Sequence, residues 1–162
     1  FSGNWNRSFA RVDPSTSKSR SGWIVFYAGC PVCWASKLQS QVALSTTEAE
    51  YIAMSQALRD VIPVMNLIQE LGEKGFEVIC TKPHVYCKVF EDNSGALELA
   101  RLPKLRPRTK HINVCYHHFH EHVRKGLIKI FHINTKDQIA DALTKALAQN
   151  DFQRHRRLMC GK

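Results

Sequence analysis

Two runs rich in aromatic and β-branched residues, Gly22–Ala28 and Pro31–Lys37, are joined through Ala28-Gly29-Cys30. Neither carries helical periodicity, so the pattern predicts a β-hairpin. The period changes after Ser45. Ser45 and Glu48 have the spacing of a capping box, and Tyr51, Met54, Leu58, Val61 and Met65 form an apolar stripe behind them. These features predict a helix that Pro63 kinks or divides before Leu71. From His84 to Asp92 the chain alternates, with Val85, Cys87 and Val89 on one face and Tyr86, Lys88, Phe90 and Asp92 on the other; a strand ending at Asp92 is expected. Ser94–Ala100 reads as a short helix stopped by the Pro103–Pro107 segment. A second helix is expected from about His111 to Arg124, with Gly126 as terminator. Leu127–Ile133 reads as a strand. Thr135 and Gln138 repeat the capping-box spacing ahead of a helical stripe of Ile139, Ala142, Leu143 and Ala146.

Strands and helices interleave, which predicts an α/β fold with a mixed sheet covered by helices. Ligands in such folds collect near the carboxyl ends of strands, where Asp92 is expected. The segment 1–20 is polar, and Asp13–Arg20 reads as loop, so ordered structure is expected to start after it. A length of 162 residues with 44% hydrophobic content suits one domain over 1–162 with a real core. The longest apolar runs, such as Trp23–Ala28, are too short to cross a membrane, and no charged-then-apolar leader opens the chain. A soluble protein that is not directed to secretion is expected. Because the first residue is Phe1, the chain is expected to be part of something longer.

A formal charge of +9 favours a polyanionic partner, with nucleic acid first, because each phosphate met by Lys or Arg releases condensed counterions. Between Arg101 and Lys125, Arg101, Lys104, Arg106, Arg108, Lys110, Arg124 and Lys125 face one acid, Glu121, and a second basic knot is Arg154–Arg157. Taken singly, each is a solvated surface charge; the clustering argues otherwise. The six cysteines form no framework. Cys30-Pro-Val-Cys33 is a lone C-x-x-C, and most cysteines read as small buried apolar residues. His118 and His122 lie one helical turn apart without a matching Cys or acid pair, so a surface helix near phosphates is favoured over zinc.

Acids on three separate elements stand in otherwise uncharged or apolar surroundings, which suggests one shared cation site. Glu48 has a structural role as the capping residue. Glu50 has none, and it shares a face with Ala53 and Ala57, whose small side chains let the helix approach the sheet. Glu91 and Asp92 alternate in direction, so only one is expected to join Glu50, and strand phase does not choose between them. Asp137 suits a helix N-terminus. Spacing alone favours pairing Asp141 with Lys145 at i, i+4.

Trp34-Ala-Ser-Lys-Leu-Gln39, Ala43-Leu-Ser-Thr-Thr-Glu-Ala-Glu-Tyr-Ile-Ala53, Glu91-Asp-Asn-Ser-Gly-Ala96, Arg108-Thr-Lys-His-Ile112 and Asp137-Gln-Ile-Ala-Asp-Ala-Leu-Thr-Lys145 occur in this order. In these motifs the chain resembles the ribonuclease H domain of copia-type (Ty1/copia) retrotransposon Pol polyproteins, over nearly its whole length. The resemblance implies a ribonuclease H-like mixed sheet flanked by helices, with Glu50, Asp92 and Asp141 as catalytic, metal-binding acids. In that family a fourth acid lies on the first strand, in a motif of which Phe1 looks like the last residue. The resemblance therefore implies that this chain lacks a metal ligand and the central strand of its sheet, and that residues 1–162 alone are inactive.

The implied reaction is hydrolysis of the RNA strand of an RNA–DNA hybrid, with two Mg²⁺ (or Mn²⁺) ions held by the carboxylates. One ion would generate hydroxide and the other would stabilise the leaving 3′ oxygen. Polar groups near the acids, Gln39, Asn93, Ser45 and Ser94, are candidates for reading the 2′-hydroxyl, each with a turn or cap role as the alternative. Lys37, Arg108, Lys110 and His111 are candidates for phosphate contact. The implied partners are the hybrid and the reverse transcriptase domain of the same polyprotein, with no membrane. The implied location is the cytoplasm, in the element's virus-like particle, or the nucleus. A catalytically silent nucleic-acid-binding remnant is the alternative. An integrase-type transferase is disfavoured, because its acids run Asp, Asp, Glu whereas here Glu comes first.

Overall fold

The structure, a computed structural model, describes residues 2–4, 17–78, 85–102 and 114–161, with the backbone alone at 2–4, 114 and 115. Strands β1 (Ser2–Asn4), β2 (Arg20–Tyr27) and β3 (Cys30–Leu38) form an antiparallel sheet in that order. The expected hairpin is present. Tyr27 pairs with Cys30 across a two-residue turn, and Ala28 and Gly29 take φ of 51° and 80°. Positive φ at both turn positions matches the right-handed twist of the flanking strands. The strand at Ser2–Asn4 departs from the expectation of loop up to residue 20.

Helix α1 (Thr46–Glu73) opens as its sequence predicts. The Ser45 hydroxyl accepts from Glu48 N at 3.1 Å, and Glu48 Oε2 accepts from Leu44 N at 2.8 Å. Pro63 does not divide this helix, contrary to expectation. Pro63 and Arg59, whose carbonyl loses its helical donor, both lie on the exposed side of the helix, while Val61 and Met65 keep the buried stripe continuous. Strands β4 (Cys87–Glu91) and β5 (Ile128–His132) pair in parallel as a second sheet. Between them lie α2 (Ser94–Arg101), a 3₁₀ turn (Val114–His117) and α3 (His120–Arg124).

Where one helix from His111 to Arg124 was expected, a 3₁₀ turn and a five-residue α-helix occur, and the expected part at 111–113 lies outside the described residues. Gly126, at φ +74°, ends α3 as expected, with Leu127 N donating to His122 O at 2.9 Å. The expected helix after Thr135 is replaced by two 3₁₀ turns, Thr135–Asp137 and Ile139–Leu143, and α4 (Gln149–Cys160) follows. Gln138 interrupts the run: its backbone is extended, and its buried side chain donates to Phe90 O at 3.3 Å, tying the turn to β4.

The core lies between α1 and the strands, built on Tyr51, Ile52, Met54, Leu58, Val89, Phe119, Ile128 and Ile130. Among the described residues no strand joins β2 to β4. The edge of β2 beyond Gly22 and the outer edge of β4 instead flank an apolar groove of about 640 Å³, lined by Ile24, Phe26, Val64, Met65, Val85 and Val89 among others. The mixed α/β arrangement with small sheets is compatible with a ribonuclease H-like fold that lacks a strand. Burial was expected of most cysteines, but among those described Cys30 and Cys160 are exposed and Cys33 and Cys87 are only half-buried.

Gly22 decides how closely the 139–143 turn lies on the sheet. A Cβ there would meet Thr144 Cγ2 at 2.6 Å, Leu143 Cβ at 2.9 Å and the Ala140 carbonyl at 3.1 Å. Gly22→Ala should therefore lower unfolding stability by about 1–3 kcal/mol, measured by urea denaturation. An unchanged midpoint would show that the turn can lift off the sheet without cost.

Candidate metal centre

Glu50, Glu91 and Asp92 come together where α1, β4 and α2 meet, with one carboxylate oxygen from each within 4.8 Å of the others. Glu50 lies in the second turn of α1 and is 9% exposed, on the face of the buried Ala53 and Ala57. Glu91 is the last residue of β4 and is fully buried. Its side chain orients the segment that follows, because Glu91 Oε1 accepts from Asn93 N at 3.0 Å. Asn93 in turn caps α2, its side chain accepting from Ala96 N at 2.9 Å. The close approach of α2 to α1 needs Gly95, where a Cβ would meet Thr47 Oγ1 at 2.8 Å.

The expectation that only one of Glu91 and Asp92 could join Glu50 is corrected: both do. Strict alternation holds only inside the strand, and β4 ends at Glu91, so Asp92 already belongs to the connection to α2. Glu91 is the residue that sequence reasoning left out. Its signal was the alternation itself, which placed it in phase with the buried Val89.

Asp141 stands outside this trio of oxygens, yet its charge reaches Glu91. It is 3% exposed, on the 3₁₀ turn laid against Gly22, and its Oδ2 pairs with Lys145 Nζ at 2.6 Å. The i, i+4 pairing therefore forms, and Asp141 is at the same time within electrostatic range of the other acids. Asp137 is exposed and bound to Arg154 at 2.9 Å, away from any role in the cluster.

The other singled-out residues divide three ways. Gln39 lies inside the protein, 1% exposed, where its Nε2 donates to Ser21 Oγ at 2.9 Å and Ala49 O at 2.8 Å, fastening β3 to the start of α1. Lys37 is exposed, with its ammonium 5.2 Å from the centroid of Trp23. Asn93 is half-buried beside the acids, and Ser45 and Ser94 are exposed at helix starts. Arg108, Lys110 and His111 lie outside the described residues. The histidines are less free than a surface helix would make them: the buried Tyr51 hydroxyl lies 2.5 Å from His117 Nδ1 and 2.8 Å from His120 Nε2.

Burial pushes the Glu91 carboxyl from 4.5 up to about 7; the charges of Asp92 and Asp141 add to the rise, and the Asn93 backbone N–H opposes it. Its Oε2 is buried with no hydrogen-bond partner among the described residues. An orphaned buried carboxylate oxygen facing two further carboxylates suits a hard divalent cation such as Mg²⁺ or Mn²⁺, which takes oxygen donors and keeps some water. The donor set thus fits such an ion, which Glu50, Glu91 and Asp92 would hold.

No protein-family model matches the chain. No solved structure matches it either. Among curated proteins, 141 residues are 38% identical to the retrovirus-related Pol polyprotein from transposon TNT 1-94 of Nicotiana tabacum, covering 87% of this chain and 10% of that protein. The retrovirus-related Pol polyproteins from transposons RE1 and RE2 of Arabidopsis thaliana are each 36% identical over 135 residues, covering 83% of this chain and 9% of theirs. The chain spans about a tenth of the length of these relatives and is homologous to one region of transposon Pol polyproteins. Among the described residues no helix is long and apolar enough to cross a membrane.

Because the folded state raises the Glu91 pKa, it holds that proton more tightly than the unfolded chain does. Stability is then highest while Glu91 is protonated and declines as pH rises from about 4.5 through about 7. In EDTA, the melting temperature of the wild type relative to Glu91→Gln should fall by several degrees across that window. Mg²⁺ should reverse the fall in the wild type only. A parallel pH profile for the two proteins would remove Glu91 as a strained acid.

Proposed function

We propose that this chain is the ribonuclease H region of a copia-type retrotransposon Pol polyprotein, a Mg²⁺-dependent endonuclease that hydrolyses the RNA strand of RNA–DNA hybrids during reverse transcription. The observation that carries the reading is the meeting of Glu50, Glu91 and Asp92 carboxylates within 4.8 Å at a strand end, in a protein of net charge +9. Homology to Pol polyproteins over most of the chain supports it.

In this reading Glu50 and Asp92, on separate elements, would hold the ion together with the buried Glu91. Bound Mg²⁺ would supply activation of water and charge neutralisation at the phosphate. Asp141, held at 2.6 Å by Lys145, would join the site when that lysine yields its carboxylate. The positively charged surface attracts the hybrid, and Asn93, beside the acids, is the polar group placed to meet a sugar hydroxyl. The reverse transcriptase region of the same polyprotein is the natural partner, handing over the hybrid it has made.

The Asp141–Lys145 ion pair also favours a second reading, a nucleic-acid-binding region that no longer cleaves, because a lysine occupies one of the acids. Hybrid cleavage separates the two. A protein extended upstream into its parent polyprotein should cleave the RNA strand in Mg²⁺, and Asp92→Asn should slow cleavage by more than about a hundredfold while the melting temperature in EDTA is unchanged or raised. Salt-sensitive hybrid binding without cleavage by the extended wild type would select the silent reading. Undiminished cleavage by Asp92→Asn would remove that residue from the site.

A further inference from the structure

The parallel pair β4–β5 buries one face, through Val89, Ile128 and Ile130, and exposes the other. The exposed positions are in register: Lys88 lies opposite Lys129, and Phe90 opposite Phe131. Both lysines are exposed, and the two phenyl rings are 45% and 39% exposed with centroids 5.9 Å apart at 30°. Tyr86, in phase with Lys88 and Phe90, lies beneath both ammoniums, whose nitrogens are 6.0 and 5.3 Å from its ring centroid.

Two features of this face are costly in the protein alone. Like charges placed directly across neighbouring strands repel, and neither lysine has an acidic partner among the described residues. Two large aromatic rings are also left half in water. A partner carrying negative charge at regular intervals and flat apolar rings between them relieves both at once. Single-stranded nucleic acid has that chemistry: its phosphates answer the ammoniums, and its unpaired bases stack on exposed aromatic rings. A duplex has its bases already stacked and offers no free base faces to the exposed rings.

We propose that the Lys88–Phe90–Lys129–Phe131 face is a binding surface for single-stranded nucleic acid, separate from the carboxylate site. Phenyl rings and ammoniums do not read base identity, so the surface is expected to tolerate any sequence. It does not depend on the nuclease reading, because nothing in it uses Glu50, Glu91, Asp92 or a metal.

The test is fluorescence anisotropy of the full chain with fluorescein-labelled (dT)₁₂ in EDTA across a range of salt, with a duplex of the same length as comparator. The single strand should bind at least tenfold more tightly than the duplex. Phe90→Leu/Phe131→Leu, which keeps apolar volume but removes the rings, should weaken single-strand binding about tenfold or more. Lys88→Ala/Lys129→Ala should lower the slope of log affinity against log salt by about 1.4, at about 0.7 per phosphate contact. Asp92→Asn should bind like the wild type, whatever its cleavage activity. Thermal melts check that each variant is folded; should the leucine pair fail to fold, Phe131→Tyr/Lys129→Ala serves in its place and should lose salt slope while keeping stacking. Equal affinity for duplex and single strand, or variants that bind like the wild type, would overturn the proposal. So would sedimentation showing a wild-type dimer that the leucine pair turns to monomer, which would make the face a contact between copies.

Discussion

Like charge held at close range is the constraint on which this molecule turns. Three carboxylates from α1, β4 and the connection to α2 have oxygens within 4.8 Å of one another, and the most buried of them, Glu91, has one oxygen without a hydrogen-bond partner among the described residues. Glu91 is fully buried, and folding gains nothing from its proximity to the other two carboxylates unless a proton or a cation intervenes. Burial raises the Glu91 carboxyl to about 7, and the charges of Asp92 and Asp141 add to the rise. Such an arrangement is kept at the expense of stability, which is the usual mark of a functional site.

The surrounding structure exists to hold that geometry. Ser45 and Glu48 fix where α1 begins, and hence where Glu50 points one turn later. Gln39, wholly inside, binds Ser21 and the Ala49 carbonyl, so the hairpin and the start of α1 move as one body. Asn93 caps α2 and donates its backbone N–H to Glu91, joining the cap of one helix to the end of a strand. Two glycines permit the close approaches: Gly95 between α2 and Thr47, and Gly22 beneath the turn that carries Asp141. Each of these is a short polar or small residue whose effect depends on what lies opposite.

The carboxylates gather at the strand ends on the side of α1, whereas the outward positions of β4 and β5 offer two lysines and two phenyl rings. The net charge of +9 favours a polyanionic partner, while the three clustered carboxylates form a site that a cation would neutralise. The open groove between β2 and β4 separates the two small sheets, so the site is assembled from the second sheet and α1, while the first sheet supports α1 from behind.

Much of this was legible in the residues alone. The hairpin, the capped start of α1, the strand before Asp92, the glycine end of α3 and the preference for Glu50 over Glu48 all follow from patterns between near neighbours, where spacing dictates which groups can touch. The sequence misled where a remote contact outweighed the local pattern. Pro63 sits in an unbroken helix because its face is wet; the last capping-box spacing yields 3₁₀ turns because Gln138 reaches across to the Phe90 carbonyl; and Gln39 is an internal fastener. Only the tertiary structure could decide that Glu91 and Asp92 both meet Glu50. Periodicity states which side of its own element a side chain occupies, whereas the energy of a carboxylate cluster depends on distances between elements far apart in the chain, and those are set by packing.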